Sequence, residues 1–305
     1  MTANWRDRLL ALIGFALMTA YLPLIAGAPV TPRWGVLALA LVALPFMGPG
    51  RITWAHVLGG AFVAWACASM LWSAAPADGP NWLLKLGILA GVFLLGARLA
   101  DLRPFWLGAA AGIGVSSALV ILDSLHLIAY YQVSRPSGLF VNGLFLAEAA
   151  VLVLVYFLFQ TDKLSAKMKW TAVVAIVPSL LLVPLARGPM LALFLVFMLW
   201  LWARSRAWAA TAGLGIAGIM ALAVLRRPET IDARLSLWHD AIYALVPLGH
   251  GWGSYTHLAP LIADWFEAGR ELEHFPHSEL VGAAFELGLP GLLLERAQRL
   301  ERALL

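Results

Sequence analysis

The sequence predicts an all-α, polytopic transmembrane protein with about ten spans and one long polar loop that contains an amphipathic helix. Hydrophobic residues make up 62% of the chain and charged residues only 12%, values far from those of soluble domains. The apolar residues are gathered into long runs. The long interruption between residues 226 and 277 holds five of the seven histidines.

The ten candidate spans are runs in which nearly every residue is apolar. They cover residues 9–28, 34–47, 55–71, 82–96, 105–128, 139–159, 170–185, 189–202, 207–225 and 278–294. The second and eighth runs are short for a full crossing, so tilted or re-entrant segments are alternatives there. The predicted organisation is a nine-span region over 1–225, a loop over 226–277, and a tenth span with a short tail over 278–305.

Basic residues predict the orientation. Alternate loops carry ten lysines and arginines, whereas the loops between them carry four. Because cytoplasmic loops are enriched in these residues, we expect a cytoplasmic amino terminus and a 226–277 loop on the outer side. In the inner membrane of a two-membrane bacterium, that loop would be periplasmic. An uncleaved first helix is favoured over a signal peptide that ends near residues 26–28, since nine further spans follow.

Several function classes lack support in this sequence. The basic residues lie in short loops between apolar runs, so nucleic-acid binding is not expected. Cys67 is the single cysteine, and the histidines do not show the spacing of a catalytic metal motif. No Walker sequence and no dinucleotide fingerprint is present. We therefore expect no metal and no cofactor.

Two arginines stand in outer loops that should be poor in cations. Arg135 and Arg187 each lie beside a proline and a glycine at the mouth of a span. A guanidinium group matches phosphate oxygens in a bidentate way, so the two side chains are candidates for binding a lipid diphosphate. The alternative is that each anchors a helix end against phospholipid headgroups. Arg33 is interpreted as such an anchor.

Polar groups also enter the sixth and tenth spans. Asn142 and Glu148 lie on the outer half of the sixth span, where a polar group without compensation is costly. They face a partner or a wet cavity, or they take part in helix packing. In the tenth span, Glu279 and Glu286 share one helical face near His277. That face would orient an acceptor hydroxyl or a base, or serve as a helix cap.

The long loop begins with an amphipathic pattern. Leu235, Trp238, Ile242 and Leu245 recur at helical spacing, which is typical of a helix that lies on the membrane plane. A glycine-rich turn follows, with Gly251 at its centre. Such a turn can bring backbone amides close to a phosphate or a sugar, although any sharp turn uses glycine.

An ordered set of segments in the second half of the chain resembles the O-antigen ligase and polymerase superfamily of bacterial membrane glycosyltransferases. The segments are RPSGLFVNGLFLAEA at 135–149, LARGPMLAL at 185–193, RLSLWHDA at 234–241, PLGHGWGSY at 247–255 and PHSELVGAAFELGLPG at 276–291. The first five spans resemble this superfamily only in number and hydropathy. The last segment is the most specific.

The resemblance implies transfer of a glycan from an undecaprenyl diphosphate donor to an acceptor hydroxyl, with inversion at the anomeric carbon. The expected acceptor is a lipid A–core sugar, and membrane lipids surround the protein. By matching position, Arg135, Arg187 and Arg234 would bind the diphosphate, and His277 would activate or orient the acceptor. Glu286, on the helical face that it shares with Glu279, is a second catalytic candidate. Asn142, Glu148 and Gly251 are interpreted as supporting residues.

The sequence leaves the acceptor open. A polymerase of O-antigen or exopolysaccharide, or a ligase that glycosylates protein, would use the same kind of donor. From a different class, a secondary transporter also has broken, glycine- and proline-interrupted spans, but the inverted halves that it would predict are not seen here. Relatives in the superfamily usually continue through further helices, so the resemblance implies a shortened copy.

Overall fold

A computed structural model gives the fold of the protein. It describes residues 5–21, 31–42, 53–77, 79–99, 101–128, 138–140, 143–159, 165–181, 194–195, 197–198, 201–202, 205–207, 213, 229–262 and 278–304. The predicted all-helical class is confirmed for these residues, and none of them lies in a strand. Their α helices are α1 (Trp5–Thr19), α2 (Thr31–Leu41), α3 (Trp54–Ser69), α4 (Gly79–Gly96), α5 (Arg103–Ser124), α6 (Gly143–Phe159), α7 (Ala166–Leu181), α8 (Glu229–Tyr243), α9 (Tyr255–Ile262) and α10 (Glu279–Leu304).

The helices fall on the predicted apolar runs. Helices α1 to α7 overlap the first seven predicted spans, and α10 covers residues 279–294 of the tenth. Among the described residues, three helices are long and apolar enough to cross a membrane, and two shorter apolar helices accompany them. This finding is consistent with a membrane protein. The eighth and ninth predicted spans lie mostly outside the described residues, so the count of ten stays a prediction.

Contacts divide the chain into two compact units. The first comprises residues 1–42 and 100–226, and the second comprises residues 43–99 and 227–305. The predicted division into 1–225, 226–277 and 278–305 concerns position relative to the membrane and stays a prediction. In the second unit, the predicted amphipathic helix is present as α8.

Small residues bring α1 and α5 together in the first unit. Gly108 and Gly112 stand one turn apart on α5. A Cβ atom on Gly108 would overlap the backbone of Ala11, and one on Gly112 would lie 2.7 Å from Cβ of Met18. Gly14 faces α5 in the same manner, since a Cβ atom there would overlap the backbone of α5. Such close backbone approach is typical of helix pairs in membranes, where packing replaces the hydrophobic effect as the source of association.

The remaining core of the first unit is built by α5, α6 and α7. Its fully buried side chains include Ile113, Val153, Phe157 and Ile176. Within this apolar core, the buried hydroxyl groups of Ser117 on α5 and Ser179 on α7 share a hydrogen bond. A bond of this type satisfies two polar groups that have no access to water, and it fixes the register of the two helices.

The second unit is organised around α3 and α10, which pack against each other. Helix α3 begins with a capping box formed by Thr53 and His56. The Thr53 amide donates to Nδ1 of His56, and the His56 amide donates to the carbonyl oxygen of Thr53. A 3₁₀ turn at Met70–Trp72 follows its last residue. The turn leads the chain toward residues 247–255, which Trp72 and Ser73 contact.

Candidate functional site

Helix α10 is broken at a defined point. Gly288 has non-helical dihedral angles (φ 63°, ψ −159°), and Pro290 follows two residues later. Proline has no amide hydrogen and cannot donate to the carbonyl of Glu286 one turn earlier. The Leu289 amide also leaves the helix and donates to the carbonyl oxygen of Pro247 at 3.0 Å. The break therefore releases carbonyl groups that need new donors.

The glycine-rich segment 247–255 supplies these donors. The His250 amide donates to the carbonyl oxygen of Phe285 at 2.9 Å, and the Gly251 amide donates to that of Glu286 at 2.8 Å. From α3, the indole Nε1 of Trp65 donates to the carbonyl oxygen of Leu287 at 2.8 Å. We call residues 65–74, 247–255 and 285–289 together the clasp. It pairs three successive carbonyls at the helix break.

The end of α3 completes the clasp through side chains. The indole Nε1 of Trp72 donates to the carbonyl oxygen of Gly249 at 3.1 Å. The Trp252 amide donates to Oγ of Ser69 at 3.1 Å, and Oγ of Ser73 donates to the carbonyl oxygen of Trp252 at 3.0 Å. Segment 247–255 is thereby hydrogen-bonded on one side to α3 and on the other to α10.

Close contact with neighbouring backbone requires glycine at three positions of the clasp. Gly249, Gly251 and Gly288 have φ values of 74°, 91° and 63°, in the left-handed region where other residues are strained. A Cβ atom on Gly249 would overlap the backbone of Glu286, and one on Gly251 would overlap the backbone of Ser73. These glycines permit close backbone approach between segments that are distant in sequence.

This use of the glycines differs from the anion-binding role considered from the sequence. The amides of Gly249, His250, Gly251 and Trp252 all donate to protein acceptors. They point at carbonyl and hydroxyl oxygens of the clasp and are not directed to an external phosphate. These four amides are therefore occupied by acceptors within the protein.

Glu286 has a defined partner in the clasp. Its carboxylate oxygen Oε1 accepts a hydrogen bond of 3.0 Å from the backbone amide of Tyr255, the first residue of α9. The side chain is half-buried. A carboxylate at this place satisfies an amide that has no partner within the helix and complements the positive end of the helix dipole. Glu286 thus caps a helix that begins 31 residues earlier in the chain.

In the first unit, the short turn at residues 138–140 is held by contacts with α2 and α5. Nη2 of Arg33 on α2 donates to the carbonyl oxygen of Leu139 at 2.7 Å, and Cζ of Arg33 lies 4.0 Å from the ring centroid of Phe140. On the other side, a Cβ atom on Gly138 (φ 54°) would lie 2.6 Å from the carbonyl oxygen of Ser116. Arg33 was interpreted as an interfacial anchor, but its guanidinium group is directed into the protein and fixes this turn.

The structure describes only part of the predicted site. Arg135, Asn142, Arg187 and His277 lie outside the described residues, and Arg234 belongs to α8 without a described side chain. Glu148 lies exposed on α6. Of the predicted site residues, the structure brings together Gly251 and Glu286, which are hydrogen-bonded to each other. These placements leave the roles of the predicted site residues as predictions.

Some clasp residues were not identified from the sequence. Trp65 contributes a side-chain donor from α3, and Trp72 contributes one from the 3₁₀ turn that follows α3. His250 is held by a 2.7 Å contact between its Nε2 and the carbonyl oxygen of Ala244. The ring of His250 also packs on Phe285 at 4.5 Å between centroids. The sequence carried one signal for this arrangement, the Gly-Leu-Pro-Gly run at 288–291, which predicts a helix break whose carbonyls need donors.

In comparisons with protein-family models and with curated proteins, the chain matches none of the family models and none of the curated proteins.

Proposed function

We propose that the protein transfers a glycan from an undecaprenyl diphosphate carrier to an acceptor hydroxyl at the periplasmic face of a bacterial inner membrane, as an O-antigen ligase does. One structural observation supports this proposal. Two of the segments that carry the sequence resemblance, 247–255 and 276–291, are joined in the clasp by the hydrogen bonds of Gly251 and Glu286. Segments that build one site are expected to fold together, even when they are far apart in sequence.

In the proposed reaction, the bond between the anomeric carbon and the donor phosphate oxygen breaks. A new bond forms from that carbon to the acceptor oxygen, with inversion. The diphosphate leaves with its negative charge, which cations stabilise more effectively than protonation by an acid would. Arg135, Arg187 and Arg234 are assigned to this task. His277 takes the proton of the acceptor hydroxyl, because histidine titrates near neutral pH.

We assign a different role to Glu286 than to His277. The Glu286 carboxylate accepts the Tyr255 amide, so it holds the start of α9 against α10 rather than reaching a substrate proton. His277 lies just before the first residue of α10. Glu286 would therefore position the start of α9 against α10, and the proton transfer would belong to His277.

Deletion of the gene in its native host tests the proposed function. Lipopolysaccharide extracted from the deletion strain should show core without attached chains, and the 305-residue protein should restore the ladder. Core that carries a single repeat would indicate a polymerase instead. An unchanged ladder would contradict transfer to lipid A–core.

Point variants test the assigned residues in the same complementation assay. His277→Ala and Arg187→Ala should each abolish the ladder while the protein remains expressed and inserted. His274→Ala is the matched control for the histidine, because it lies in the same loop, and Arg206→Ala is the control for the arginine. Normal ladders from both His277→Ala and Arg187→Ala would overturn the site assignment.

A further inference from the structure

Helix α8 has three distinct faces. At about 100° per residue, Leu237 and Ala241 form one face, and positions 235, 238 and 242 form a second face about 110° away. Leu237 and Ala241 are buried, and Ala241 packs with Tyr255 and Phe285. The first face therefore attaches α8 to the rest of its unit.

The second face is apolar and open. Leu235 is 53% exposed and Ile242 is 54% exposed. We call this face, residues 235, 238 and 242, the apolar flank. These two large aliphatic side chains are about half exposed, and their contact with water is unfavourable relative to burial.

The third face is polar. At about 100° per residue, it lies about 120° around the helix from the apolar flank. It carries Ser236, His239 and Tyr243, which are exposed, and Asp240, whose carboxylate contacts the His239 ring at 3.3 Å. A helix with one flank apolar and the other polar is suited to a boundary between lipid and water.

The exposed apolar surface continues from the α8 region to α10. Leu248 is 56% exposed, and its neighbour Pro247 accepts the hydrogen bond of the Leu289 amide. Leu289 and Leu293 are each 58% exposed and stand one turn apart on the apolar helix 280–294. Exposed leucines of α10 therefore lie beside the end of the segment that follows α8.

We propose that the apolar flank of α8 lies in the headgroup region of the bilayer that α10 enters, so that phospholipid covers Leu235 and Ile242. The clasp is then held at the membrane surface. An interfacial helix of this kind inserts its apolar side about 5–10 Å into the boundary between headgroups and acyl chains. The occupant is the lipid bilayer, because the exposed apolar residues 245, 246 and 248 connect the flank to the exposed leucines of the apolar helix α10, and the flank carries no charged side chain.

Fluorescent labels on opposite flanks test this proposal. In a Cys67→Ser background, Ile242→Cys and Ser236→Cys place one label on the apolar flank and one on the polar flank. Both positions are exposed, so neither substitution removes core packing. The labelled proteins are reconstituted in phosphatidylcholine vesicles. Leu293→Cys provides a label on α10 for comparison.

The label at residue 242 should show blue-shifted emission and should be quenched by nitroxide-bearing lipid. Like the label at residue 293, it should be protected from quenching by aqueous iodide. The label at residue 236 should be quenched by iodide and not by the lipid. A second label on the apolar flank, Leu235→Cys, should repeat the result of residue 242. Iodide quenching at residues 242 and 235 equal to that at residue 236 would overturn the proposal.

Discussion

The backbone amide of Gly251 and the carbonyl oxygen of Glu286 are joined by a hydrogen bond of 2.8 Å. Thirty-five positions separate these residues in the sequence, and the bond exists because Pro290 leaves that carbonyl without its helical donor. The glycine turn therefore supplies a backbone donor to a carbonyl that the helix break leaves without one. Glycine is needed at residue 251 because a side chain there would overlap the backbone of Ser73.

Substitution of Gly251 tests the clasp directly. Gly251→Ala should lower the free energy of unfolding by roughly 1–3 kcal/mol, because a Cβ atom would overlap Ser73 and the positive φ would be strained. Thermal unfolding in detergent, followed by tryptophan fluorescence, measures the effect. Gly87→Ala on α4 is the matched control, since a Cβ atom there meets nothing within 4 Å. Equal midpoints for the two variants would contradict the role of Gly251 in packing.

A pair of variants at residue 286 separates capping from proton transfer. Glu286→Gln keeps an oxygen that can accept the Tyr255 amide, whereas Glu286→Ala removes it and should cost about 1 kcal/mol of stability. If Glu286 holds α9, the glutamine variant should keep most of the transfer activity and the alanine variant should lose it. The ladder assay reports both. Loss of transfer in the glutamine variant at unchanged stability would assign proton chemistry to Glu286.

The contacts of Arg33 predict a larger effect than an interfacial anchor would show. Arg33→Ala removes a hydrogen bond to Leu139 and a cation–π contact with Phe140, and the expected loss of stability is about 2 kcal/mol. Arg33→Lys should lie between alanine and the native residue, because an ammonium group keeps the charge but not the planar stack. Thermal unfolding measures the series.

Arg206 provides the control for Arg33. It also lies over an aromatic ring, 5.9 Å from the centroid of Trp202, but it is exposed. Arg206→Ala should change the unfolding midpoint little, since exposed cation–π pairs contribute about 0.5–1 kcal/mol. A midpoint for Arg33→Ala as high as that of Arg206→Ala would restore the interpretation of Arg33 as an anchor.

The contact between α1 and α5 predicts strong sensitivity to side-chain size. Gly108→Leu should prevent the close approach of the two helices, because even a Cβ atom would overlap the Ala11 backbone. Gly35→Leu on α2 is the control, as nothing lies within 4 Å of a Cβ atom there. Proteolysis of the purified protein measures the outcome: Gly108→Leu should be cleaved faster, and resistance equal to that of Gly35→Leu would argue against the glycine contact.

Local pattern was sufficient to predict helices α1 to α7 and α10, because an apolar run needs an internally hydrogen-bonded backbone in a membrane. It also identified α8, whose apolar positions recur at helical spacing. The sequence pattern did not indicate which face of α8 packs against the rest of its unit. Leu237 and Ala241 are buried instead of the larger residues Leu235 and Ile242, and this choice depends on contacts with Tyr255 and Phe285 from other segments.

The clasp could be predicted only in part. The Gly-Leu-Pro-Gly run is a signal for a break in α10, although the sequence analysis treats 278–294 as one span, and the run does not indicate which donors reach the released carbonyls. The partner of Leu287 is the indole of Trp65, 222 residues away. No local pattern reports such a pairing. Likewise, Glu286 could be placed on a helical face from its spacing, whereas its bond to the Tyr255 amide depends on how α9 meets α10.

The sequence separation between Trp65 and Leu287 also has a consequence for biosynthesis. Trp65 and Trp72 leave the ribosome long before residues 249 and 287, the acceptors of their indole groups. During that interval, the chain between α4 and α8 is made, and the two indole groups cannot form these bonds. The second unit can close only after α10 has been synthesised. Chain termination before residue 287 should therefore leave α3 without these partners and make the nascent protein a substrate for membrane quality control.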